Sequence, residues 1–143
     1  MTNLQQKAFV FAQVKHKGQK DDDGKDYFEA HCLIVYRILQ DINASENLLC
    51  AALLHDTIED TDTTYEELVK EFTKDIADLV MEVTHDGKKD EIGYYFPRLK
   101  SQRGIMLKFA DRLSNISRMD SWVEERRQHY LQKSRFWQDE NNN

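Results

Sequence analysis

A histidine and an aspartate stand side by side at the end of an apolar stretch, in the segment AALLHDTIEDTD of residues 51–62. Apolar helices rarely carry adjacent ionisable groups, so His55 and Asp56 are unusual there. Together they can ligate one divalent ion, because imidazole suits transition ions and carboxylate suits harder ions such as Mn²⁺ or Mg²⁺. The dipeptide alone is a weak signal, since His85 and Asp86 repeat it in a predicted loop.

Two further ionisable residues lie inside strongly apolar helical segments. His31 stands between Ala30 and Cys32, and Asp111 lies within LKFADRL. Each alone is more typical of a hydrogen-bonded core group than of a ligand. Buried charge is costly unless it is paired or coordinated, so three helices that each send such groups inward are hard to explain by packing. We therefore predict that two histidines and two aspartates form one octahedral metal site with positions left for water.

Two acidic residues follow the His-Asp pair by one helical turn. Glu59 is four residues after His55, and Asp60 is four residues after Asp56. If the turn stays helical, both lie near the metal, where a carboxylate can orient or deprotonate a water whose pKa the metal has lowered. The spacing supports equally well an alternative in which Glu59, Asp60 and Asp62 are capping acids in a solvated turn.

The elements that must position these residues are helices. One proline and five glycines leave few helix breakers. Apolar residues recur with helical period, and no alternating pattern predicts a strand. The predicted helices cover residues 4–15, 27–40, 45–56, 65–72, 73–85, 104–119 and 124–137. We predict an all-α single domain over residues 1–138, with the metal site between its central helices and a disordered tail at 139–143.

Composition narrows the function classes. The chain has 143 residues, of which 20 are basic and 26 acidic, giving a net charge of −6 that argues against a general nucleic-acid binder. An anionic small molecule is still compatible, because a bound metal can dominate the local field. No apolar run is long enough to span a membrane, and the N-terminus lacks the features of a signal peptide. Cys32 and Cys50 cannot build a disulfide framework, so we expect a reduced, cytoplasmic protein.

Three sequence blocks together resemble a known family. HKGQKDDDGKDYFEAH, HDTIEDTDTTYEEL and LKFADRLSNISRM occur in the order used by the RelA/SpoT-type HD hydrolases. The combination of HDxxED with ADRLxN is specific. More narrowly, residues from about 8 to 137 are similar to the small, free-standing alarmone hydrolases of that superfamily, the metazoan SpoT homologues.

The resemblance implies an all-α HD-domain bundle that is usually Mn²⁺-dependent. It implies removal of the 3′-pyrophosphate from guanosine 3′,5′-bis-diphosphate (ppGpp) by metal-activated water. Carried over by position, it makes four residues metal ligands: His31, His55, Asp56 and Asp111. It makes Glu59 and Asp60 the pair that activates water, and Asn115 a nucleotide contact. Lys20 and Arg112 are further candidate substrate contacts. The expected partner is a small anionic nucleotide, with no nucleic acid and no membrane, and a homo-oligomer is left open.

The chain departs from the family pattern in the loop after the GQ dipeptide. That loop is typically basic in alarmone hydrolases and binds the nucleotide, whereas here it reads Lys20-Asp21-Asp22-Asp23-Gly24. Carboxylates facing a polyphosphate would repel it, so the loop either is a solvated turn directed away from the site or serves another substrate. Arg118 stands where the family commonly has a small hydroxyl residue. Lys108 and Arg112 could meet a phosphate or lie exposed.

Two alternative functions remain open from the sequence. The same site could act on a nucleoside monophosphate, a dinucleotide 2′-phosphate or a cyclic nucleotide, and the acidic loop favours this reading. A non-catalytic module that only binds a nucleotide is the other, but the full set of expected site residues argues against it. Tyr94 and Tyr95 could stack on a base or anchor a loop to the core.

Overall fold

Helices and short turns make up the described part of the chain, which in this computed structural model is residues 1–87 and 98–134. The α-helices are α1 (Asn3–Lys15), α2 (Leu33–Asp41), α3 (Glu46–Leu54), α4 (Thr57–Asp60), α5 (Tyr65–Glu71), α6 (Lys74–Val83), α7 (Gln102–Ile116) and α8 (Glu124–Lys133). A π-helical turn, Phe28–Cys32, leads directly into α2. Within the described ranges no strand forms, which confirms the predicted all-α class.

Hydroxyl side chains set the starts of most of these helices. The side-chain oxygens of Thr2, Ser45, Thr64, Thr73 and Ser101 each accept a hydrogen bond from a backbone N–H three residues later. Such caps satisfy backbone donors that have no partner inside the helix. The predicted helices 45–56 and 65–72 start at these caps, Ser45 and Thr64.

The apolar helix α3 forms the centre of the bundle. All its residues from Leu48 to Leu54 are buried, and it packs against α1, α2 and α6. A helix that is apolar all round must be covered on every side. Its last residue is Leu54, two residues before the predicted end, because the backbone turns at Asp56 and restarts as the short helix α4.

One predicted helix begins irregularly, and other predictions fall on residues outside the described ranges. The predicted helix 27–40 begins as the π-helical turn, in which the Leu33 N–H donates to the Phe28 carbonyl, and π-helical turns are frequent at functional sites. Residues 88–97 and 135–143 lie outside the described ranges. The predictions for Tyr94, Tyr95 and the tail therefore stay predictions, and so does the domain boundary, which the start of the tail defines. None of the described helices combines the length and apolar character needed to cross a membrane.

A buried glutamate fixes the start of α7 against α6. Glu82, at the end of α6, accepts hydrogen bonds from the backbone N–H groups of Lys100 (2.6 Å) and Ser101 (2.7 Å) and from the Ser101 hydroxyl (2.8 Å). A negative charge at a helix N-terminus is favourable. Gly104 leaves room for this carboxylate, since a Cβ there would lie 2.3 Å from Glu82 Oε1.

The contact between Glu82 and Gly104 decides whether the substitution Gly104→Ala lowers or raises the free energy of unfolding. In the wild-type chain we expect Gly104→Ala to lower the free energy of unfolding by about 1–3 kcal/mol, because the added methyl must displace the Glu82 carboxylate. In a Glu82→Ala background the same change should raise it by up to about 1 kcal/mol, because alanine favours a helix over glycine. Urea unfolding of the four proteins measures both effects. The same sign in both backgrounds would contradict the contact.

Candidate metal centre

Four buried side chains from separate parts of the bundle meet at one point. His31 comes from the π-helical turn, His55 and Asp56 from the break between α3 and α4, and Asp111 from the middle of α7. Each offers one ligand atom, and these atoms all lie within 4.8 Å of one another. The structure therefore brings together the four residues that the sequence predicts as ligands.

The two imidazoles face each other across the cluster. His31 Nε2 lies 3.0 Å from both His55 Nε2 and Asp111 Oδ1. Asp56 Oδ2 lies 3.1 Å from His55 Nε2 and 3.3 Å from His31 Nε2. One carboxylate oxygen from each aspartate thus stands beside both ring nitrogens.

Groups around the cluster bind the outer nitrogens of both imidazoles. His55 Nδ1 lies 2.7 Å from the Ala52 carbonyl, which can only accept, so Nδ1 carries a proton and Nε2 of the neutral ring is a lone-pair donor. His31 Nδ1 lies 2.9 Å from the Ser114 hydroxyl and 2.8 Å from Arg118 Nη2, which can only donate. The Tyr27 hydroxyl donates to Asp56 Oδ2 at 2.7 Å. Burial and the charge of Asp56 hold the pKa of Tyr27 far above its usual range, so Tyr27 stays a donor.

The electrostatics of the cluster fit a cation. Burial lowers the pKa of both histidines, but the neighbouring aspartates outweigh it and raise both values. Burial raises the pKa of Asp56 and Asp111, but His55 acting on Asp56 and Lys108 acting on Asp111 outweigh it, and both pKa values fall well below normal. Two ionised carboxylates and two imidazoles in one buried place are a donor set for a divalent ion. The residues present therefore fit a divalent metal.

The two acids beyond the His-Asp pair have different surroundings. Glu59 lines the cleft above the cluster, its side chain is 22% exposed, and its Oε1 accepts a hydrogen bond from the His85 backbone N–H at 2.8 Å. Burial, and then the charge of Asp56, raises the pKa of Glu59. Asp60 has its pKa raised by the same two causes, and its Oδ2 accepts from Gln19 Nε2 at 3.1 Å. Asp62 has a side chain that is 86% exposed and pairs with Lys15, and Glu59 and Asp60 are also exposed as whole residues, so the alternative of three solvated acids stays open.

A cleft of about 290 Å³ opens above the cluster, and cationic and polar side chains form part of its wall. Lys108 Nζ lies 3.3 Å from Asp111 Oδ2. Arg112 and Asn115 both donate to the Tyr130 hydroxyl, at 3.0 and 2.6 Å. Of the predicted substrate contacts, Arg112 and Asn115 line this cleft, whereas Lys20 is exposed and is not among its lining residues.

Sequence reasoning missed several residues at this site. Tyr27 lies four residues before His31, the spacing that places two side chains on one helix face, and this signal could have found it. His85 belongs to the second His-Asp dipeptide, which in the sequence indicates only that such dipeptides are common. In the structure, His85 lies beside Glu59. Tyr130 carried no signal, because nothing in the α8 sequence marks it for the cleft.

The acidic loop is engaged by residues that come about a hundred positions later. The Asp21 side chain is only 3% exposed and accepts from Arg118 at 3.3 Å and from two backbone N–H groups of its own loop. Asp22 pairs with Arg126 at 2.7 Å, and the Ser121 hydroxyl donates to Asp23. The two departures from the family pattern, the acidic loop and Arg118, are therefore partners of each other. Asp21 is thus buried against Arg118, whereas Asp22 and Asp23 stay exposed and bind surface groups, so neither of the two alternatives for the loop is excluded.

Comparison with known proteins gives a consistent set of similarities. Residues 8–92 match the family described as HD domain. The chain is 40% identical over 130 residues to a guanosine-3′,5′-bis(diphosphate) 3′-pyrophosphohydrolase of Aquifex aeolicus, covering 85% of this chain and 18% of that protein. It is 36% identical over 135 residues to the guanosine-3′,5′-bis(diphosphate) 3′-pyrophosphohydrolase MESH1 of Xenopus tropicalis, covering 85% of this chain and 75% of the relative.

A solved structure extends the similarity to the fold. It is described as a metazoan ortholog of SpoT that hydrolyses ppGpp, and it superimposes with a TM-score of 0.78 at 28% identity, covering 95% of this chain and 84% of the other. The chain thus spans only about a fifth of the Aquifex relative but most of the two shorter ones.

Proposed function

The chain belongs to the HD-domain family, and from that premise we propose that it is a metal-dependent phosphohydrolase that removes the 3′-pyrophosphate of ppGpp. One observation carries the proposal. Three members of the buried His-Asp set, His55, Asp56 and Asp111, line a cleft whose wall also holds an acid of raised pKa and three cationic side chains. The relatives named for this reaction support the choice of substrate.

We propose Mn²⁺ as the resident ion, held by His31, His55, Asp56 and Asp111. The mixed nitrogen and oxygen ligand set suits Mn²⁺, and other divalent transition ions are compatible with it. A divalent ion in this position would polarise a phosphate oxygen and make water a stronger nucleophile near neutral pH.

Glu59 and Asp60 would manage the proton of the attacking water. Because burial and the charge of Asp56 raise the pKa of Glu59, its affinity for a proton lies closer to the working pH, as general-base catalysis requires. The oxygen of that water would form a bond to the phosphorus next to the ribose, while the bond from that phosphorus to the ribose 3′-oxygen breaks. The products are guanosine diphosphate and pyrophosphate.

The cations of the cleft would bind the phosphates. Lys108 stands over Asp111, and Arg112 is held in place by Tyr130, so both positive charges are directed by neighbours rather than left mobile. Arginine in particular binds phosphate through two parallel hydrogen bonds. We assign Asn115 to the nucleotide as well. Lys20 stays a prediction from the sequence, since it lies in the exposed loop.

The geometry of the acidic loop removes the main argument for a different nucleotide. Asp21, Asp22 and Asp23 have partners in Arg118, Arg126 and Ser121, so their interactions are satisfied without the cleft. The full set of site residues also weighs against a module that only binds. We place the reaction in the cytoplasm, where the buried thiols of Cys32 and Cys50 would stay reduced.

Product analysis with ppGpp tests the proposal directly. The purified chain incubated with Mn²⁺ and ppGpp should release pyrophosphate and guanosine diphosphate in equal amounts. An Asp56→Ala variant should release neither product and should lose Mn²⁺ binding. The substitution removes one of the four ligands, whose carboxylate contacts both buried histidines. A chain that binds Mn²⁺ but releases no pyrophosphate would contradict the proposed substrate, and a panel of other nucleotides would then be assayed.

Glu59→Gln separates proton transfer from metal binding. The amide oxygen can still accept from the His85 N–H, so the fold and the Mn²⁺ affinity should be retained. The turnover number should fall by about 10²–10⁴-fold, the usual contribution of a general base. Glu66→Gln, an exposed change at the start of α5, is the matched control and should leave turnover unchanged. Loss of Mn²⁺ binding in Glu59→Gln would contradict its assigned role.

A further inference from the structure

The amide side chain of Gln19 lies between a buried histidine and one of the acids of the site. Its Nε2 donates to Asp60 Oδ2 at 3.1 Å, and its Oε1 lies 2.7 Å from His16 Nδ1. Asp60 is the last residue of α4 and Gln19 lies in the turn after α1. The amide therefore links two residues that are 41 positions apart in sequence.

With the Asp60 carboxylate ionised, one arrangement of protons satisfies both contacts of the Gln19 amide. An ionised carboxylate can only accept, so the amide NH₂ must face Asp60 and the amide oxygen must face His16. That oxygen also can only accept, so His16 must carry its proton on Nδ1. The hydrogen bonds therefore run in one direction, from the His16 ring through the amide to the carboxylate.

The backbone between His16 and Gln19 is shaped to close this contact. Gly18 has a φ of +86°, a left-handed conformation that favours glycine, and the Gln19 N–H donates to the His16 carbonyl at 2.9 Å. The chain thus folds back on the end of α1. The Gln19 carbonyl in turn accepts from the Tyr27 N–H, and Tyr27 is the residue whose hydroxyl binds Asp56.

His16 itself is poorly explained as a packing residue. It is 1% exposed, and among the described residues its Nε2 has no hydrogen-bond partner. A buried acceptor without a partner lowers stability, and an apolar side chain would avoid that cost. Its ring packs against Tyr27, with centroids 5.5 Å apart, and its one hydrogen bond within the described ranges is the contact that orients Gln19.

A second contact joins the same two parts of the chain. Lys15, the last residue of α1, lies 2.9 Å from Asp62 Oδ1, two residues beyond Asp60. The end of α1 and the turn after it therefore contact the end of α4 and the residues after it at two points, one through an ion pair and one through the Gln19 amide. α4 has a single turn of four residues, so it has little rigidity of its own.

We propose that His16 and Gln19 are positioning residues for the hydrolysis: they hold the Asp60 carboxylate through Oδ2 and leave Oδ1 to accept a hydrogen bond or proton from the attacking water. The proposal rests on the proposed function, in which Asp60 acts on that water. It adds two residues that neither belong to the His-Asp cluster nor line the cleft above it. It also gives a role to the His-Lys-Gly-Gln segment that precedes the acidic loop.

The test is a double-mutant cycle between Gln19 and Asp60. Gln19→Ala alone should lower kcat for ppGpp about tenfold to a hundredfold, as expected when a catalytic group is misplaced. Its KM and its Mn²⁺ affinity should stay within about twofold of the wild type, because the residue contacts neither. In an Asp60→Asn background, Gln19→Ala should lower kcat by no more than about a further twofold, because the group that it positions is already inactive. Gln13→Ala, an exposed glutamine on α1, is the matched control and should change nothing.

A purely structural role predicts a different pattern. Gln19→Ala would then lower the thermal midpoint and reduce kcat by the same factor in both backgrounds, and that result would overturn the proposal. Full activity of Gln19→Ala would overturn it as well. Gln19→Glu should not restore activity, because a second carboxylate would repel Asp60.

A spectroscopic measurement tests the contact independently of the substrate. In ¹H–¹⁵N spectra, the side-chain amide signal of Gln19, assigned by its loss in Gln19→Ala, should shift in Asp60→Asn and stay unchanged in Asp62→Asn. His16 should show the ¹⁵N shifts of the Nδ1-protonated tautomer. If the chain does not hydrolyse ppGpp, the proposed function is wrong, but these spectra still test the contact between Gln19 and Asp60. A Gln19 signal that does not respond to Asp60→Asn would overturn it.

Discussion

Two carboxylates that are buried beside each other repel, and removing either from water costs several kcal/mol unless positive charge compensates it. Asp56 and Asp111 are in this situation, with their oxygens held against the same pair of imidazole nitrogens. The bundle tolerates them because His31, His55 and Lys108 lie within bonding distance, and a divalent ion would compensate them further. The positions of the π-helical turn, the break between α3 and α4, and α7 follow from this requirement, since together they must bring the four residues to one point.

The fold meets the requirement by interrupting its helices at the site. α3 ends at Leu54 and α4 begins at Thr57, so His55 and Asp56 occupy the break and can both turn toward the cluster. The π-helical turn places His31 at the start of α2. α7 is continuous, and the Glu82 carboxylate at its start sets where Asp111 stands. Irregular backbone thus carries three of the four proposed metal-ligating residues, whereas regular helices pack the core.

Much of this arrangement could be predicted from local sequence. Helix starts at Ser45 and Thr64 follow from capping chemistry, and the four buried ionisable residues are conspicuous because apolar helices rarely contain them. Contacts between distant residues could not be predicted in the same way. The partner of Asp21 is Arg118, 97 residues away, and the partner of Asp60 is Gln19, 41 residues away. Neither pairing leaves a periodic trace, so the sequence left two alternatives open for the acidic loop and gave no sign of the contact between Gln19 and Asp60.

The central claim is that the four side chains hold one divalent ion, and anomalous diffraction from crystals grown with Mn²⁺ tests it most directly. We expect a single strong peak at the Mn absorption edge, within coordination distance of the facing nitrogens of His31 and His55 and of oxygens of Asp56 and Asp111. A peak elsewhere on the protein, or none between these residues in crystals of a protein that binds Mn²⁺ in solution, would contradict it.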